Sequence, residues 1–471
     1  MQSKPMKRLY FLLLAALCAG KVQAQDKPNV MLIIADDLAY NDIEPYGSKQ
    51  VHTPNLSRLA QQGVCFDNMY TSTAMCSPTR QQLLTGLYPV RNGAYPNHSH
   101  VNTGTKSVAH YMQSLGYNTA IIGKRDFGPD ESFPFTFLGG KNMDYGKGRD
   151  IELEKAEAYI NSSKKPYFLV VASNQPHVPW NRGNPAMYPP GEIKVPEWMV
   201  NTPLTRKGLS KYFAEVTYLD SLVGVCLDIV KRSGKEENTV IIFTSEHGSQ
   251  FPFAKWTCYD EGLKTGFIVK WPGHTQAGTR NPAFTQYVDV VPTLVDIAGA
   301  DPASFNTGNK DAYGNSKFDG MSFKNVILGK ANGFRDYVFG VQTTNGIIKG
   351  SDSYPVRSVR NNRYLYIRNL NNKEQFSNVA TAAPMYQSWL KTGNEADFRR
   401  AKAYTNRPAE ELYDCVKDPF QLVNLADKSE FNAVKQQLRT QLDKFMAQQG
   451  DKGVETEKRA PEHRAGQGEG D

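Results

Sequence analysis

The sequence predicts an α/β protein in which a mostly parallel central sheet is flanked by helices. Up to about residue 334, short apolar runs alternate with segments of helical periodicity, which is typical of parallel strands joined by helical crossovers. After that point the apolar runs are shorter and one long helical segment follows, which predicts a smaller C-terminal α+β subdomain. The length of 471 residues is sufficient for one principal domain with such an appendage.

The individual elements follow from apolar runs and from their start and stop signals. Apolar runs predict strands of the central sheet at residues 30–34, 119–122, 168–171, 240–243 and 267–269, and of the subdomain at 337–340 and 363–367. Periodic segments with proline, serine or glycine at their ends predict helices at residues 53–63 and 107–115. Longer periodic segments predict helices at residues 209–230 and 432–448.

The two ends of the chain differ from its body. Residues 1–24 have basic residues, then an apolar run, then small residues, which is typical of a cleaved secretory signal and predicts a secreted or periplasmic protein. Residues 25–334 form the predicted principal domain and residues 335–449 the subdomain, a small antiparallel sheet plus a helix. The polar, charged tail at 450–471 is predicted to be disordered. No later run is long and apolar enough to span a membrane.

Composition narrows the possible partners. The net charge of +8 is modest and scattered, so nucleic acid is not implied, whereas a basic cleft for an anionic substrate fits. Five cysteines follow the signal, an odd number: Cys65, Cys76, Cys226, Cys258 and Cys415. If Cys76 is chemically modified, the remaining four are able to form disulfides in an oxidising compartment.

The segment from Cys76 to Gly86 combines a reactive residue with an anion-binding geometry. Ser77 as N-cap, Pro78 as the first helical residue and Gly86 as the stop predict a short helix whose positive end lies beside Cys76. Such an end attracts anions. Arg80 lies four residues after Cys76, so both side chains share one helical face and approach the same tetrahedral oxyanion.

Two carboxylates end the first predicted strand. Asp36 and Asp37 directly follow the apolar run at residues 30–34, where open α/β sheets place their ligands. Adjacent carboxylates at the end of an apolar strand favour a Ca²⁺ or Mg²⁺ site over a solvated surface pair.

Together these segments resemble the signature of the type I sulfatases. The pattern CxPxR at Cys76–Arg80, the following Leu-Thr-Gly and the upstream Asp-Asp occur in that family's order. The resemblance implies an alkaline-phosphatase-like fold with residues 25–334 as the sulfatase catalytic domain. It also implies that Cys76 is oxidised to Cα-formylglycine by a sulfatase-maturing enzyme, and that Arg80 holds the modified residue. The sequence pattern of residues 121–137 resembles the heparan N-sulfatase branch of the family most.

Further catalytic residues are assigned by the same resemblance. Lys124 lies in a segment similar to the family's GKxHxG and is expected to contact sulfate. Asp126 occupies the place of the family's histidine, so either Asp126 is the base that expels sulfate or that step is handled differently. His177 resembles the leaving-group acid, and prolines on both sides indicate a loop that points it into a cleft. Lys255 aligns with the sulfate-binding lysine, and Lys264 is its rival.

The resemblance also implies a cofactor and a substrate class. The expected ligands of one Ca²⁺, with Mg²⁺ as the alternative, are Asp36, Asp37, Glu246, His247 and the residue at position 76. Glu246 stands where the family usually has aspartate. The expected substrate is a sulfate ester or sulfamate of a sulfated glycan, in a sugar pocket lined by His98, His100 and Trp180.

Two other functions stay open at this stage. A metal-dependent phosphatase or phosphodiesterase of the same superfold uses a Ser or Thr nucleophile, two zinc ions and a DxxxH motif, but no histidine here follows an aspartate by four residues. A degenerate glycan-binding protein is compatible with the departures at Asp126 and Glu246. The sequence does not decide which sugar and sulfate position are used, exo or endo action, or the oligomeric state.

Overall fold

The computed structural model describes residues 27–139 and 151–464. The secretory signal predicted at residues 1–24 lies outside these ranges, so export stays a prediction. Within them, no helix combines the length and apolar character needed to cross a bilayer.

The larger sheet contains eight described strands: β1 (Asn29–Ala35), β2 (Val64–Tyr70), β3 (Asn118–Gly123), β4 (Thr136–Phe137), β5 (Tyr167–Ala172), β6 (Thr239–Ser245), β7 (Lys264–Lys270) and β8 (Thr279–Gln286). Their order across the sheet is β4-β3-β5-β1-β6-β7-β2-β8. β1 is parallel to both β5 and β6, whereas β7 is antiparallel to both β6 and β2. The prediction of a mostly parallel central sheet is therefore confirmed.

Strand β1 lies in the middle of this sheet and is buried on both faces. Val30, Leu32 and Ile34 pack in one apolar cluster, and Met31 and Ile33 pack in the other. This alternation follows from the two-residue period of a strand, and it explains why the run is apolar throughout. Helices therefore cover both faces of the sheet.

The described helices are α1 (Pro54–Gln62), α2 (Cys76–Thr85), α3 (Pro89–Asn92), α4 (Val108–Ser114), α5 (Leu153–Ser162), α6 (Pro203–Arg232), α7 (Asp260–Leu263), α8 (Val290–Ile297), α9 (Lys324–Ile327), α10 (Pro384–Trp389), α11 (Glu395–Thr405), α12 (Asn432–Gln449) and α13 (Val454–Lys458). The helix predicted at 209–230 is longer than expected. It begins at Pro203, because the Thr202 side chain accepts from the backbone N–H of Thr205.

Three strands of the larger sheet, β2, β4 and β8, were not predicted. The apolar run of β2 is interrupted by Asp67 and Asn68, and the register shifts between Phe66 and Met69. β4 has only two residues, too few for an apolar run. β8 is an edge strand and contains Pro282, which interrupts the pattern of a strand.

The smaller sheet is antiparallel and belongs to the C-terminal part. It contains β9 (Val338–Gln342), β10 (Val356–Arg360), β11 (Tyr364–Asn369) and β12 (Glu410–Asp414), in the order β12-β11-β10-β9. Leu438 and Leu442 of α12 pack with Val359 and Tyr366 of the sheet. The predicted sheet-plus-helix subdomain is confirmed, while the boundary at residue 334 stays a prediction.

The prediction of a disordered tail from residue 450 is wrong as far as residue 464. This segment includes α13, and the Tyr95 hydroxyl donates a 2.8 Å hydrogen bond to Thr456 O. Asp451 forms a buried ion pair with Arg357 of β10. A polar segment is thus held by specific partners that its composition did not reveal, and residues 465–471 lie outside the described ranges.

The cysteines of the described residues form no disulfide. Cys65, Cys76, Cys226, Cys258 and Cys415 are all free and buried. Burial makes the four other than Cys76 ordinary core residues, so the bridges that an oxidising compartment permits do not link them.

Candidate active site

Three parallel strands deliver charged residues to one edge of the larger sheet. Asp36 and Asp37 follow β1, Lys124 follows β3, and Glu246 follows β6. The carboxyl ends of these strands meet at the same edge, as in other open α/β sheets. Glu246 N donates to Ala35 O at 2.9 Å, so the loops after β1 and β6 begin side by side.

Helix α2 brings Cys76 to this edge. The helix begins at Cys76 with Met75 as its N-cap, so the prediction that Ser77 caps it is wrong. The Ser77 hydroxyl instead donates to Ser99 O at 3.2 Å. Gly86 ends the helix in the left-handed region at φ 71°, as predicted. Cys76 is only 7% exposed, at the base of the site.

Arg80 and Cys76 face the same carboxylate, as their four-residue spacing predicts. Cys76 Sγ lies 3.9 Å from Asp36 Oδ1, and an Arg80 terminal nitrogen lies 3.9 Å from Asp36 Oδ2. Arg80 Nε lies 2.6 Å from Glu246 Oε2. The guanidinium therefore joins the carboxylates that follow β1 and β6.

Lys255 lies in the buried cluster beside Cys76, and its contact with sulfate stays a prediction. Its ammonium donates to Asp37 Oδ1 at 2.7 Å and to Cys76 Sγ at 3.3 Å. The ammonium of Lys264 instead lies 4.7 Å from the ring centre of Tyr40. The structure therefore brings Lys255, and not its rival, into the cluster.

Lys124 and Asp126 approach the cluster from the segment after β3. Lys124 Nζ donates to Asp36 Oδ2 at 2.7 Å and lies 3.6 Å from Asp126 Oδ2. The neighbouring Arg125 turns away and lies 3.5 Å from Asp130. Asp126 thus contacts the cluster through Lys124, not through Arg125.

Four buried side chains present a set of donor atoms suited to a metal ion. One donor atom each from Asp37, Cys76, Glu246 and His247 lies within 4.8 Å of the others. His247 Nδ1 donates to Gly248 O at 2.9 Å, so Nε2 is the acceptor of the neutral ring. This Nε2 lies 3.1 Å from Glu246 Oε1 and 3.6 Å from Asp37 Oδ1. Acceptor atoms that converge in this way fit a divalent cation held by the four residues.

Asp36 lies beside this set of donors, with Oδ1 3.9 Å from Cys76 Sγ, and its role as a further ligand stays a prediction. Its Oδ2 is engaged by Lys124 at 2.7 Å. Burial and the neighbouring Glu246 raise the pKa of Asp36 well above its usual range. Burial also opposes ionisation of Glu246, but Arg80 and the other cations hold the pKa of Glu246 well below its usual range.

His177 lies at the open side of the cluster. Its Nε2 is 3.6 Å from Asp37 Oδ2, and its Nδ1 is 2.6 Å from Val178 O. Burial, together with Lys255 and Lys124, lowers the pKa of His177 to about 4 against the opposing effect of Asp37. In the free protein the imidazole is therefore neutral near pH 7. It becomes an acid only after Nε2 gains a proton, which a bound anion favours.

The three residues expected to line the sugar pocket have different environments. His98 is exposed, and the half-buried ring of His100 lies over Gly128, where an added Cβ would come within 2.4 Å of Nε2. Trp180 packs against Phe251, with ring centres 5.1 Å apart. Contact with a sugar stays a prediction for all three.

One residue of the site was missed by sequence reasoning. Gln81 is fully buried, and its amide hydrogen-bonds to Ser77 of the same helix and to two segments that are distant in sequence, at Ser99 and at Gly128. Its position next to Arg80 was the one indication in the sequence that it belongs to the site. Its hydrogen-bond partners lie in loops whose positions cannot be predicted from the spacing of residues.

Comparisons with known proteins agree with this geometry. The sulfatase family model matches residues 28–300, and the model of the C-terminal part of N-sulphoglucosamine sulphohydrolase matches residues 245–379. An ulvan-active sulfatase of Formosa agariphila is 32% identical over 461 residues, covering 92% of this chain and 86% of that protein. Human N-sulphoglucosamine sulphohydrolase is 29% identical over 481 residues, covering 92% of each chain.

A solved structure shows the same fold. It is a protein in complex with its substrate D-glucosamine-2-N,6-O-disulfate, 19% identical, with a TM-score of 0.71 over 91% of this chain and 99% of that one. The sulfatase family model covers more than half of the 471 residues, including the cluster around Cys76. The chain therefore belongs to the sulfatase family, near the heparan N-sulfatase branch, and is a sulfatase enzyme.

Proposed function

We propose that the protein is an exported enzyme that removes sulfate from sulfated glycans, with Cα-formylglycine at position 76 as nucleophile and one divalent cation. The observation that carries this proposal is the buried convergence of Arg80, Lys124 and Lys255 around Cys76 and the metal-ligand set. Three fixed cations around one reactive position match the three non-reacting oxygens of a sulfate group.

The state of Cys76 supports its modification. Burial raises the pKa of the Cys76 thiol well above its usual range, so the encoded residue stays protonated and is a poor nucleophile. A sulfatase-maturing enzyme would convert this side chain to an aldehyde before the site closes around it. Once hydrated, the aldehyde at position 76 carries hydroxyl groups in place of the thiol.

The cation is proposed to be Ca²⁺, with Mg²⁺ as the alternative. Asp37, Glu246, His247 and the oxidised residue at position 76 would hold it, and Asp36 lies next to them. Carboxylate oxygens suit both ions. The hydrated aldehyde supplies the attacking hydroxyl, and the bound cation supplies the positive charge that acidifies it.

The remaining residues bind sulfate and move protons. Arg80, Lys124 and Lys255 offset charge on the sulfate oxygens. His177 Nε2 donates a proton to the departing oxygen or nitrogen of the sugar, and Asp126 Oδ2 accepts the proton released when sulfate leaves position 76. The His177 and Asp126 side chains are 28% and 11% exposed, so the substrate is expected to enter beside them.

The substrate class rests on the relatives. The similar proteins act on ulvan or on N-sulphoglucosamine, as their names say, and the structural neighbour holds a glucosamine disulfate. Sulfated glycans are common to all three. An assay with defined sugars distinguishes sulfate bound through oxygen from sulfate bound through nitrogen. The predicted secretory signal supports a periplasmic or secreted location.

The direct test is a screen of purified, aldehyde-bearing protein against defined sulfated mono- and disaccharides, with matched phosphate esters as the control. Release of inorganic sulfate from at least one sugar, and faster turnover of sulfate than of phosphate, would support the proposal. Preferential turnover of phosphate esters, with two zinc ions in the protein, would support the phosphatase alternative. Tight sugar binding without turnover would support a degenerate binding protein.

A further inference from the structure

Gln81 joins three separate parts of the active site through one buried amide. Its Nε2 donates to Ser99 O at 2.7 Å and to Ser77 Oγ at 3.0 Å. Its Oε1 accepts from the backbone N–H groups of Val101 at 3.1 Å and Gly128 at 3.4 Å. Both ends of the amide are thus engaged, so its orientation is determined by its partners.

The partner at Gly128 ends the segment of residues 124–128, which carries Lys124 and Asp126. Arg80 donates to Lys124 O at 3.2 Å at the beginning of this segment. At its end, Gly128 O accepts from Val101 N at 2.9 Å while Gly128 N donates to Gln81. Consecutive residues of α2 therefore hold the two ends of the 124–128 segment.

The middle of the same segment has an unfavourable backbone conformation. Asp126 has φ of 52°, in the left-handed region, which costs free energy for a residue with a side chain. Such a conformation persists only where its surroundings determine it, and it is found at functional sites. The hydrogen bonds at Lys124 O and Gly128 N fix the two ends of the segment and so hold Asp126 in this conformation.

We propose that Gln81 is a positioning residue that fixes the 124–128 segment against helix α2, and so holds the Asp126 carboxylate beside Lys124 in the active site. The proposal rests on the sulfatase function proposed above. Lys124 has its own anchor at Asp36, so loss of Gln81 is expected to displace Asp126 more than Lys124. The consequence is a loss of turnover rather than of sulfate binding.

The neighbouring Gln82 is a matched control on the same helix. It is also fully buried, but its Oε1 accepts from Thr71 Oγ1 at 3.1 Å and Ser72 N at 3.0 Å, away from the 124–128 segment. Gln81→Met and Gln82→Met each keep the side-chain volume and remove the hydrogen bonds. Both variants are expected to lower the melting temperature, whereas only Gln81→Met disturbs the site.

The experiment combines kinetics with hydrogen exchange on the full-length, matured enzyme. Gln81→Met should lower kcat on the sugar sulfate roughly 10- to 100-fold, the scale of a misplaced catalytic group, with a smaller change in KM. Amides of the peptide that contains Gly128 should exchange faster in Gln81→Met than in the unmutated enzyme or in Gln82→Met. In an Asp126→Asn background, Gln81→Met should lower kcat little further, because both changes act on one group.

Several outcomes would overturn the proposal. They are a kcat of folded Gln81→Met within about twofold of the unmutated enzyme, unchanged exchange at Gly128, or an undiminished loss of kcat in the Asp126→Asn background. If Gln81→Met does not fold, Gln81→Asn keeps the amide on a shorter arm and should show the same changes in kcat and exchange. Absence of sulfate release by the unmutated enzyme would refute the proposed function instead, and the exchange measurement would still test the anchoring.

Discussion

The ammonium of Lys124 lies 3.6 Å from the carboxylate of Asp126, which occupies the position of a histidine in the related sulfatase motif. A negative charge beside a sulfate site is unfavourable unless a cation accompanies it. Lys124 supplies this cation, so the carboxylate would be tolerated next to the proposed sulfate site. The pairing also places a proton acceptor at the open side of the cluster, where sulfate would leave.

We predict that Asp126→Asn stalls the release of sulfate while leaving the first chemical step intact. The amide keeps the size of the carboxylate but cannot accept the proton. Rapid-mixing assays should show a burst of about one equivalent of desulfated sugar and slow turnover afterwards, the pattern of a trapped intermediate. The peptide that contains residue 76 should gain mass at the same time. The control is Asp130→Asn, an exposed neighbour that pairs with Arg125. Full steady-state activity of Asp126→Asn without a trapped mass would assign Asp126 a structural role.

Removal of the divalent cation should abolish activity and lower stability. The buried acceptors Glu246 Oε1 and His247 Nε2, which lie 3.1 Å apart, would then face each other without the ion. Adding the ion at about 100 times its Kd should restore about 2.7 kcal/mol of unfolding free energy, measured by denaturant titration with and without chelator. Elemental analysis is expected to give one ion per chain. His247→Ala should weaken binding of the ion, and an unchanged affinity would remove His247 from the ligand set.

His177→Gln should affect substrates according to their leaving groups. A sugar alcohol is a poor leaving group and needs a proton, whereas an aryl oxide leaves readily without one. The variant should therefore lose roughly 100-fold or more in kcat/KM on a sugar sulfate and much less on a nitrophenyl sulfate. His52→Gln, at an exposed histidine, is the control. Equal losses on both substrates would contradict the role of His177 as the acid.

The same residue predicts the direction of the pH dependence. Burial lowers the pKa of His177 to about 4, so the protonated form disappears as pH rises through and above that value. For the sugar sulfate, kcat/KM should accordingly fall as pH rises, and this fall should be absent from the His177→Gln profile. A His177→Gln profile with an identical fall would assign the dependence to another group.

The buried pair of Arg357 and Asp451 should be important for stability. Asp451→Ala leaves the fully buried guanidinium of Arg357 without its counter-ion, which typically costs about 3 kcal/mol or more. Chemical denaturation should show this loss. Glu455→Ala, which removes an exposed partner of Lys458, should change the stability by less than about 1 kcal/mol. Similar values for the two variants would mean that residues after Gly450 contribute little to the fold.

Local patterns predicted most of the central sheet because its strands are buried on both faces. The apolar run of β1 and the Asp36–Asp37 pair that ends it are visible in the sequence, and so is the four-residue spacing of Cys76 and Arg80. β2 was missed because Asp67 and Asn68 interrupt its apolar run, β4 because it has only two residues, and β8 because this edge strand contains a proline. Contacts between segments that are distant in sequence could not be predicted from local patterns.

Three features of the structure depend on contacts between segments that are distant in sequence. Gln81 acts through loops whose positions depend on the whole fold. The tail after Gly450 is held by Arg357, which is 94 residues from Asp451 in sequence. The choice of Lys255 over Lys264 required the path of the chain after β6, since both lysines have the right chemistry. Composition and spacing do not encode such pairings on their own.

Position 76 is proposed to act as an oxidised cysteine within this cluster of cations. The most direct test is mass spectrometry of the peptide that contains residue 76, taken from active enzyme produced with a sulfatase-maturing enzyme. We expect the mass of an aldehyde at position 76, in a fraction that rises in proportion to specific activity. Fully active enzyme that contains only unmodified Cys76 would contradict the proposed nucleophile.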